Sequence, residues 1–299
     1  MGIFSDYRRY RHFQHPFIPG GHLKEDHMVK LIKHVVLVLY GLTCLYPFVW
    51  MIGTSLKTSQ DALANPQSPF PQAAPAWSTF GEVWNKLNFY QFFVNSVIVS
   101  AVVIVGVILI YTMMAFSFAK FIYRGKKFIY YMFIALLLVP GVTTLIPLYI
   151  NMTNLGLQNT YVGMILPMIN GAAPFAIFLF TSYFRTISHE LYESAVLDGC
   201  DNFKIYYRIY LPLALPAIGT IAILNFIGSW NNILWPMIIV DSRDMFTLPM
   251  GLMYLDSSSF KKWNELMAGA LITVIPILVA FPFMQKMYVK GMTVGSVKM

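Results

Sequence analysis

Glu193-Ser194-Ala195-Val196-Leu197-Asp198-Gly199-Cys200-Asp201-Asn202-Phe203-Lys204-Ile205-Tyr206-Tyr207-Arg208-Ile209-Tyr210-Leu211-Pro212 is the longest polar interruption between apolar segments in the second half of this chain. Acidic and basic side chains mix there with tyrosines. A helical pattern runs up to Gly199, stops, and restarts at Asp201. Ser188 is placed to cap the first helix, with Glu190 in its first turn. Gly199 supplies a left-handed or tight turn with no β-carbon penalty. Asp201 is placed to cap a second helix, which carries Phe203, Tyr206, Tyr207 and Tyr210 until Pro212 opens the next apolar segment. The expected unit is a compact helix-turn-helix with an aromatic side. Such a surface suits a partner's cleft better than a small molecule.

What flanks this stretch sets its context. The chain has 299 residues, 57% hydrophobic and 11% charged, with a mean hydropathy of +0.60. Soluble domains carry about 25% charged residues, so this is an integral membrane protein. About 20 apolar residues span the hydrocarbon. Six segments reach that length: 34–56, 91–119, 128–150, 159–184, 213–240 and 266–285. Pro47 lies inside the first, Pro140-Gly141 and Pro147 inside the third, and Pro167, Asn170, Gly171 and Pro174 inside the fourth. The Pro-rich loop 57–90 ends in Trp77 and Trp84, which suit a membrane interface. Sixteen of the 21 Lys and Arg fall in 1–33, 120–127, 185–212 and 286–299, whereas acidic residues divide almost evenly between the two sides. Lys and Arg set orientation, so both termini are expected in the cytoplasm. The net charge of +8 then reads as topology, with no nucleic-acid partner. The expected architecture is all-α with six transmembrane helices. A basic-aromatic N-terminal arm, 1–29, precedes a six-span membrane domain, 30–299. The arm reads as a cytoplasmic lead-in, with an interfacial helix on anionic lipid as the rival. Four of its residues, His12, His15, His22 and His27, form no recognisable metal-ligand set.

Much chemistry is missing. No ionisable group lies deep in a span, which argues against an ion-coupled carrier. Gly53-Thr54-Ser55-Leu56-Lys57-Thr58 lacks the Gly-Lys pair of a phosphate-binding loop, and no hydrolase motif occurs. Energy for active transport therefore has to come from a partner. The topology puts Cys44 in the membrane and Cys200 in a cytoplasmic loop, which disfavours a disulfide. The polar groups inside the spans are neutral. Asn95 and Asn170 read as helix-helix glue. Asn225, Trp230, Asn231 and Asn232, with Trp235 nearby, suit either a sugar pathway or packing and interface anchoring, and both readings stay open.

The opening stretch also carries a spacing. Glu193-Ser194-Ala195, three residues, Gly199, nine residues, Ile209, one residue and Leu211-Pro212 resemble the EAA-x3-G-x9-I-x-LP signature of membrane subunits of binding-protein-dependent ABC importers. Ser194 stands where the signature has Ala. The six spans, the run from Trp230-Asn231 to Trp235-Pro236, and the closing Val289–Lys298 extend the likeness over about residues 30–299, to the MalG-type carbohydrate permease. This resemblance implies a type I, MetI-like importer fold and one half of a heterodimeric pore beside a MalF-like second permease. It implies that the loop 186–212 is the coupling element, in which Glu193, Ser194, Ala195, Asp198 and Gly199 face a cytoplasmic ATPase dimer. ATP and Mg would be bound by that partner, and no cofactor by this chain. An external solute-binding protein would deliver the oligosaccharide, with the loop 241–263 reaching toward it. The tail 286–299 would approach the ATPase. The closing Gly295-Ser296-Val297-Lys298 is similar to the branch that serves acidic oligosaccharides. Amino-acid or phosphate importers are the nearest rivals, and an ion-coupled carrier is a more distant one. A membrane-embedded enzyme and a purely structural subunit are further alternatives.

Overall fold

A computed structural model of the chain describes residues 27–257 and 262–295, with side chains described at 28–256 and 262–282. Most of the expected N-terminal arm, with His12, His15 and His22, lies outside the described residues, as do 258–261 and 296–299. The described residues form helices and connecting turns, with no strand among them. The described residues divide into two compact units, one ending at Val49 and the other beginning at Trp50. The first unit contributes most of α1, His27–Ser55, and none of residues 28–49 is buried. A surface of exposed Leu37, Leu39, Leu42 and Leu45 suits lipid. Pro47 lies inside α1, where it removes one backbone donor.

The second unit opens with α2, Ser59–Ala64, capped by Thr58, whose hydroxyl accepts from Asp61 N at 3.1 Å. Lys57 is 1% exposed. Its ammonium donates to the carbonyls of Asn65 and Ser68 at 2.8 and 2.6 Å, which pins the Pro-rich loop and supplies acceptors for a charge that could not be buried alone. Helix α3, Ser78–Gly81, runs into a π-turn, Glu82–Lys86. Helix α4, Phe89–Lys120, is the first long span of this unit. Then come α5, Lys126–Ala135; α6, Leu145–Asn154; and α7, Tyr161–Thr186. Helices α8, His189–Leu197, and α9, Asn202–Ile205, make the polar stretch, and a π-turn at Tyr206–Tyr210 follows. The chain continues through α10, Leu211–Leu213; α11, Leu215–Trp230; α12, Leu234–Ile239; α13, Leu248–Ser257; and α14, Trp263–Gly295.

Helix α4 packs along α7, and α11 packs on both α4 and α14. Lipid tails are as apolar as leucine, so close packing and interhelical hydrogen bonds hold such helices together. Val99, Val103 and Val107 recur at helical spacing on α4 and meet Ala173, Ala176, Ile177 and Phe180 in one buried cluster. A β-carbon on Gly106 would stand 2.5 Å from Ile169 Cδ1, so glycine permits this approach. Asn95 is fully buried. Its Nδ2 donates to the carbonyls of Asp244 and Phe246, both at 2.8 Å, while Oδ1 accepts from Gln91 Nε2 and Tyr161 OH at 3.0 and 2.6 Å. All four of its hydrogen-bonding positions are used, so Asn95 is glue. Asn170 is exposed on α7 and plays no comparable part.

Two of the expected spans are bent. The third divides into Lys126–Leu138 and Gly141–Asn154, at 101° to each other. The break falls at Pro140, which lacks the donor a continuous helix needs. The fifth does not run from 213 to 240. Residues 202–213 and 215–230 meet at 73°, and α11 stops at Trp230, three residues short of α12. The sixth span, Trp263–Pro282, has the expected length of 20 residues, and its helix α14 continues beyond it through the backbone of the tail as far as Gly295. Counting each bent pair as one span gives six.

Candidate functional site

The signature stretch divides into two surfaces. Helix α8 ends in a complete Schellman turn. Asp198 N donates to Ser194 O, Gly199 N to Val196 O and Cys200 N to Ala195 O, each at 3.0 Å. Gly199 has φ +75°, the left-handed conformation this closure requires, and the space around it is open. Glycine is therefore needed there for its backbone and not for room. Ser188 stands at the N-cap but makes no side-chain cap bond, which corrects that expectation. Tyr192 OH donates to Asn202 Oδ1 at 2.6 Å and ties α8 to α9. Asp201 caps α9 as expected, accepting from Lys204 N at 2.7 Å. Lys120 Nζ, at the end of α4, donates to Ile187 O at 3.0 Å and fixes the entry to α8.

Of the expected coupling residues, Glu193, Ser194, Asp198 and Gly199 are exposed. Glu193 lies 3.1 Å from His189 Nδ1 on the solvent face, and Ser194 Oγ donates back to Glu190 O. Ala195 is 6% exposed and belongs to the core. It sets how closely α8 lies on the helices beneath. Leu197 is 87% exposed, beside Glu193 and Asp198 on the free side of α8. Sequence reasoning passed over it, although an apolar residue four positions after Glu193 on a short polar helix was a visible signal. Ile122, in the turn after α4, is exposed in the same manner.

The aromatic side of the second helix is only half a surface. Phe203 and Tyr207 are exposed, whereas Tyr206 and Tyr210 are buried. Tyr206 OH and Thr112 Oγ1 share a hydrogen bond of 2.7 Å, and Tyr210 packs against Phe116 and Phe184 with ring centroids 5.0 and 5.7 Å away. The π-turn at 206–210 alters the helical phase at this point, so 3.6-residue spacing misplaces the inward positions.

A cleft of about 410 Å³ lies among α4, α6, α7, α11 and α12. Two helix interruptions open on it: Gly141 and Thr144 come from the break in the third span, and Asn232 from the gap between α11 and α12, whereas the bend at Ala214 does not line it. Asn225 and Ser229 line it from α11, Pro167 and Gly171 from α7, and Trp235 from α12. No Asp, Glu, Lys or Arg lines it. Trp235 is held by Nε1 donating to Gly163 O at 3.1 Å, and Asn232 Oδ1 accepts from Trp235 N at 3.2 Å. Trp230 does not join this cleft. It is 2% exposed, donates from Nε1 to Thr273 O at 3.1 Å and rests edge-on against Phe93. Asn231 is exposed at the end of α11 and also lies outside the cleft lining. Of the four residues named for the substrate pathway, the structure thus brings Asn225 and Asn232 together and leaves Trp230 and Asn231 apart. Thr144, Ser229 and Trp235 join them, and only folding makes that grouping visible.

The loop after α12 does not stand free. Asn95 binds its carbonyls, Ser96 Oγ accepts from Leu248 N at 2.8 Å, and α13 packs on α4 and α14. Residues 241–257 are therefore anchored to the bundle.

Comparison with known proteins agrees with this arrangement. The profile of the family described as "Binding-protein-dependent transport system inner membrane component" matches residues 112–294. The chain is 36% identical over 268 residues to the probable ABC transporter permease protein YurM of Bacillus subtilis (strain 168), covering 88% of this chain and 87% of that protein. It is 34% identical to the arabinooligosaccharides transport system permease protein AraQ of Halalkalibacterium halodurans, with 85% and 91% covered. It is 30% identical to the diacetylchitobiose uptake system permease protein NgcG of Streptomyces coelicolor, with 91% and 90% covered. Among solved structures, a chain of a bacterial ABC transporter involved in the import of the acidic polysaccharide alginate shares the fold. Its TM-score is 0.75 at 24% identity, over 88% of this chain and 97% of that one. The signature at 193–212, the bent six-span bundle and these relatives lead to one assignment: the chain belongs to the family of binding-protein-dependent transport system inner membrane components, and is a multi-pass inner-membrane permease subunit of an ABC importer.

Proposed function

We propose that this chain forms one half of a pore for a neutral oligosaccharide, and that α8 is its coupling helix. The observation that carries the reading is that two helix interruptions, the bend at Pro140 and the gap between α11 and α12, open on one cleft. Unwound backbone at membrane depth is tolerated where protein buries it or where it lines a water-filled cavity. Broken helices are how transporters build midplane sites. Asn225, Asn232 and Ser229 offer neutral hydrogen-bonding groups, while Trp235, Pro167 and Leu145 offer apolar faces. Sugar rings present both kinds of surface. Arabinooligosaccharide, diacetylchitobiose and galactooligosaccharide permeases among the relatives support the same class. The uncharged lining favours a neutral sugar over a uronate.

A second permease completes the pore, an external solute-binding protein delivers the sugar, and a cytoplasmic ATPase dimer binds ATP and Mg. In this reading both termini are cytoplasmic. Glu193, Leu197 and Asp198 meet the ATPase, and Gly199 sets the turn that presents them. The tail of α14 lies on the same side, and the loop 241–263 faces the binding protein. The test is ATP hydrolysis by the assembled complex in nanodiscs with its binding protein, titrated with neutral trisaccharides, uronate trisaccharides, amino acids and phosphate. Stimulation by a neutral trisaccharide is expected. Stimulation only by an amino acid or phosphate overturns the substrate class.

A further inference from the structure

A second cleft, of about 470 Å³, shares no lining residue with the first. Trp84, Asn85, Asn88, Tyr90 and Gln91 line it: two aromatic rings, three amides and no carboxylate or cation. It lies where α4 begins. The 32 residues of α4 rise about 48 Å, and the far end, at Lys120, is bonded to Ile187 beside α8. The Trp84 cleft therefore belongs to the membrane face opposite α8.

The backbone around it departs from ordinary helix entry. The π-turn at Glu82–Lys86 contributes Trp84 and Asn85 to it, and π-turns concentrate at functional sites. Asn88 occupies the N-cap of α4 with φ 61° and ψ 25°, and its side chain makes no cap bond. An N-cap asparagine normally accepts from the first turn of its helix, and losing that bond costs about 1 kcal/mol. Here the amide lines the cleft instead. Tyr90 is 57% exposed, and the Trp84 ring is braced by Phe93 and Tyr90 with centroids 5.7 and 5.8 Å away. Gln91 spends one N–H on Asn95 at 3.0 Å, which fixes it at the cleft wall. Lys86 and Glu82, in the same turn, pair with each other at 3.3 Å, and the Arg243 guanidinium donates to the carbonyl of Leu87 at 3.5 Å.

We infer that this cleft is an entry subsite for one neutral sugar ring of the transported oligosaccharide, held before it reaches the membrane cleft. The inference rests on the oligosaccharide reading above. Indole and phenol faces take the C–H side of the ring, and the three amides take its hydroxyls. The uncharged lining suits a neutral sugar.

The test uses the complete complex in nanodiscs and the neutral trisaccharide that stimulates its ATPase. Saturation-transfer NMR without the binding protein reads direct contact with the sugar, and uptake in proteoliposomes reads its consequence. Asn85→Ala combined with Asn88→Gly removes two amides, while glycine keeps the left-handed backbone at 88. Trp84→Phe is the second variant, since it retains a ring against Phe93. The expected result is weaker saturation transfer to the ring protons, and a half-saturating sugar concentration about five- to tenfold higher. Wild-type signal and wild-type uptake in both variants overturn the subsite alone. Weakened affinity for the sugar-free binding protein with an unchanged sugar signal also overturns it, and makes the cleft a protein contact. If no oligosaccharide stimulates the wild-type complex, the broader reading fails with it.

Discussion

Helix α8 and the π-turn that follows it lie within one 20-residue signature, yet they are built in opposite ways. In α8, Glu193, Leu197 and Asp198 stand exposed over a single buried alanine. At the π-turn, Tyr206 and Tyr210 are 6% and 0% exposed among Phe116, Phe184 and Thr112. One half leaves its side chains exposed, and the other is rooted in α4 and α7. Under the proposed coupling role, that rigid root would let a force applied at α8 move the long helices instead of merely bending a loop.

Perturbing the root has the largest expected effect. Tyr210→Ala empties a fully packed aromatic site and costs about 3–5 kcal/mol, so folded chain in the membrane is expected to fall sharply by size-exclusion yield and thermal midpoint. Tyr210→Phe sharpens the point. The buried hydroxyl has no hydrogen-bond partner in the structure, so its removal leaves stability unchanged or slightly raised. A large loss with Phe would mean that the hydroxyl, not the ring, secures the root.

Gly199→Asp comes next. A β-carbon at φ +75° strains the Schellman turn by about 1–2 kcal/mol, which tilts α8 without emptying the core. The expected outcome is normal membrane insertion with loss of sugar-stimulated ATP hydrolysis in the assembled complex. Unchanged stimulation and uptake would sink the proposed coupling role. Leu197→Ser is the mildest change to the fold. It removes an exposed side chain, so stability stays within about 0.5 kcal/mol, while sugar-stimulated hydrolysis falls about tenfold if this leucine fills a pocket on the ATPase. Stimulation equal to wild type would show that the exposed half works through Glu193 and Asp198 alone.

Legibility followed the same division. The end of α8, the left-handed turn at Gly199 and the Asp201 cap were readable because each depends on a few neighbouring residues. The cap at Ser188 was misread, since its residue type permits a hydrogen bond that the local geometry does not make. Tyr206 and Tyr210 were assigned to the surface because regular helical spacing was assumed across a π-turn. Trp230 and Trp235 look equivalent in sequence. Trp230 is sealed between α11, α14 and Phe93, whereas Trp235 lines the central cleft.

The sequence by itself determined the membrane class, the approximate spans and the signature loop. These follow from the length and polarity of contiguous segments, which act through the transfer of local groups between water and lipid. Only the tertiary structure decided where the third and fifth spans bend, and that the third-span break and the gap between α11 and α12 meet at one cleft. It also decided which half of the signature is buried. Those outcomes depend on distant helices competing for the same faces, as when Gly106 admits Ile169 and Asn95 gathers carbonyls about 150 residues away. No local pattern along the chain encodes them.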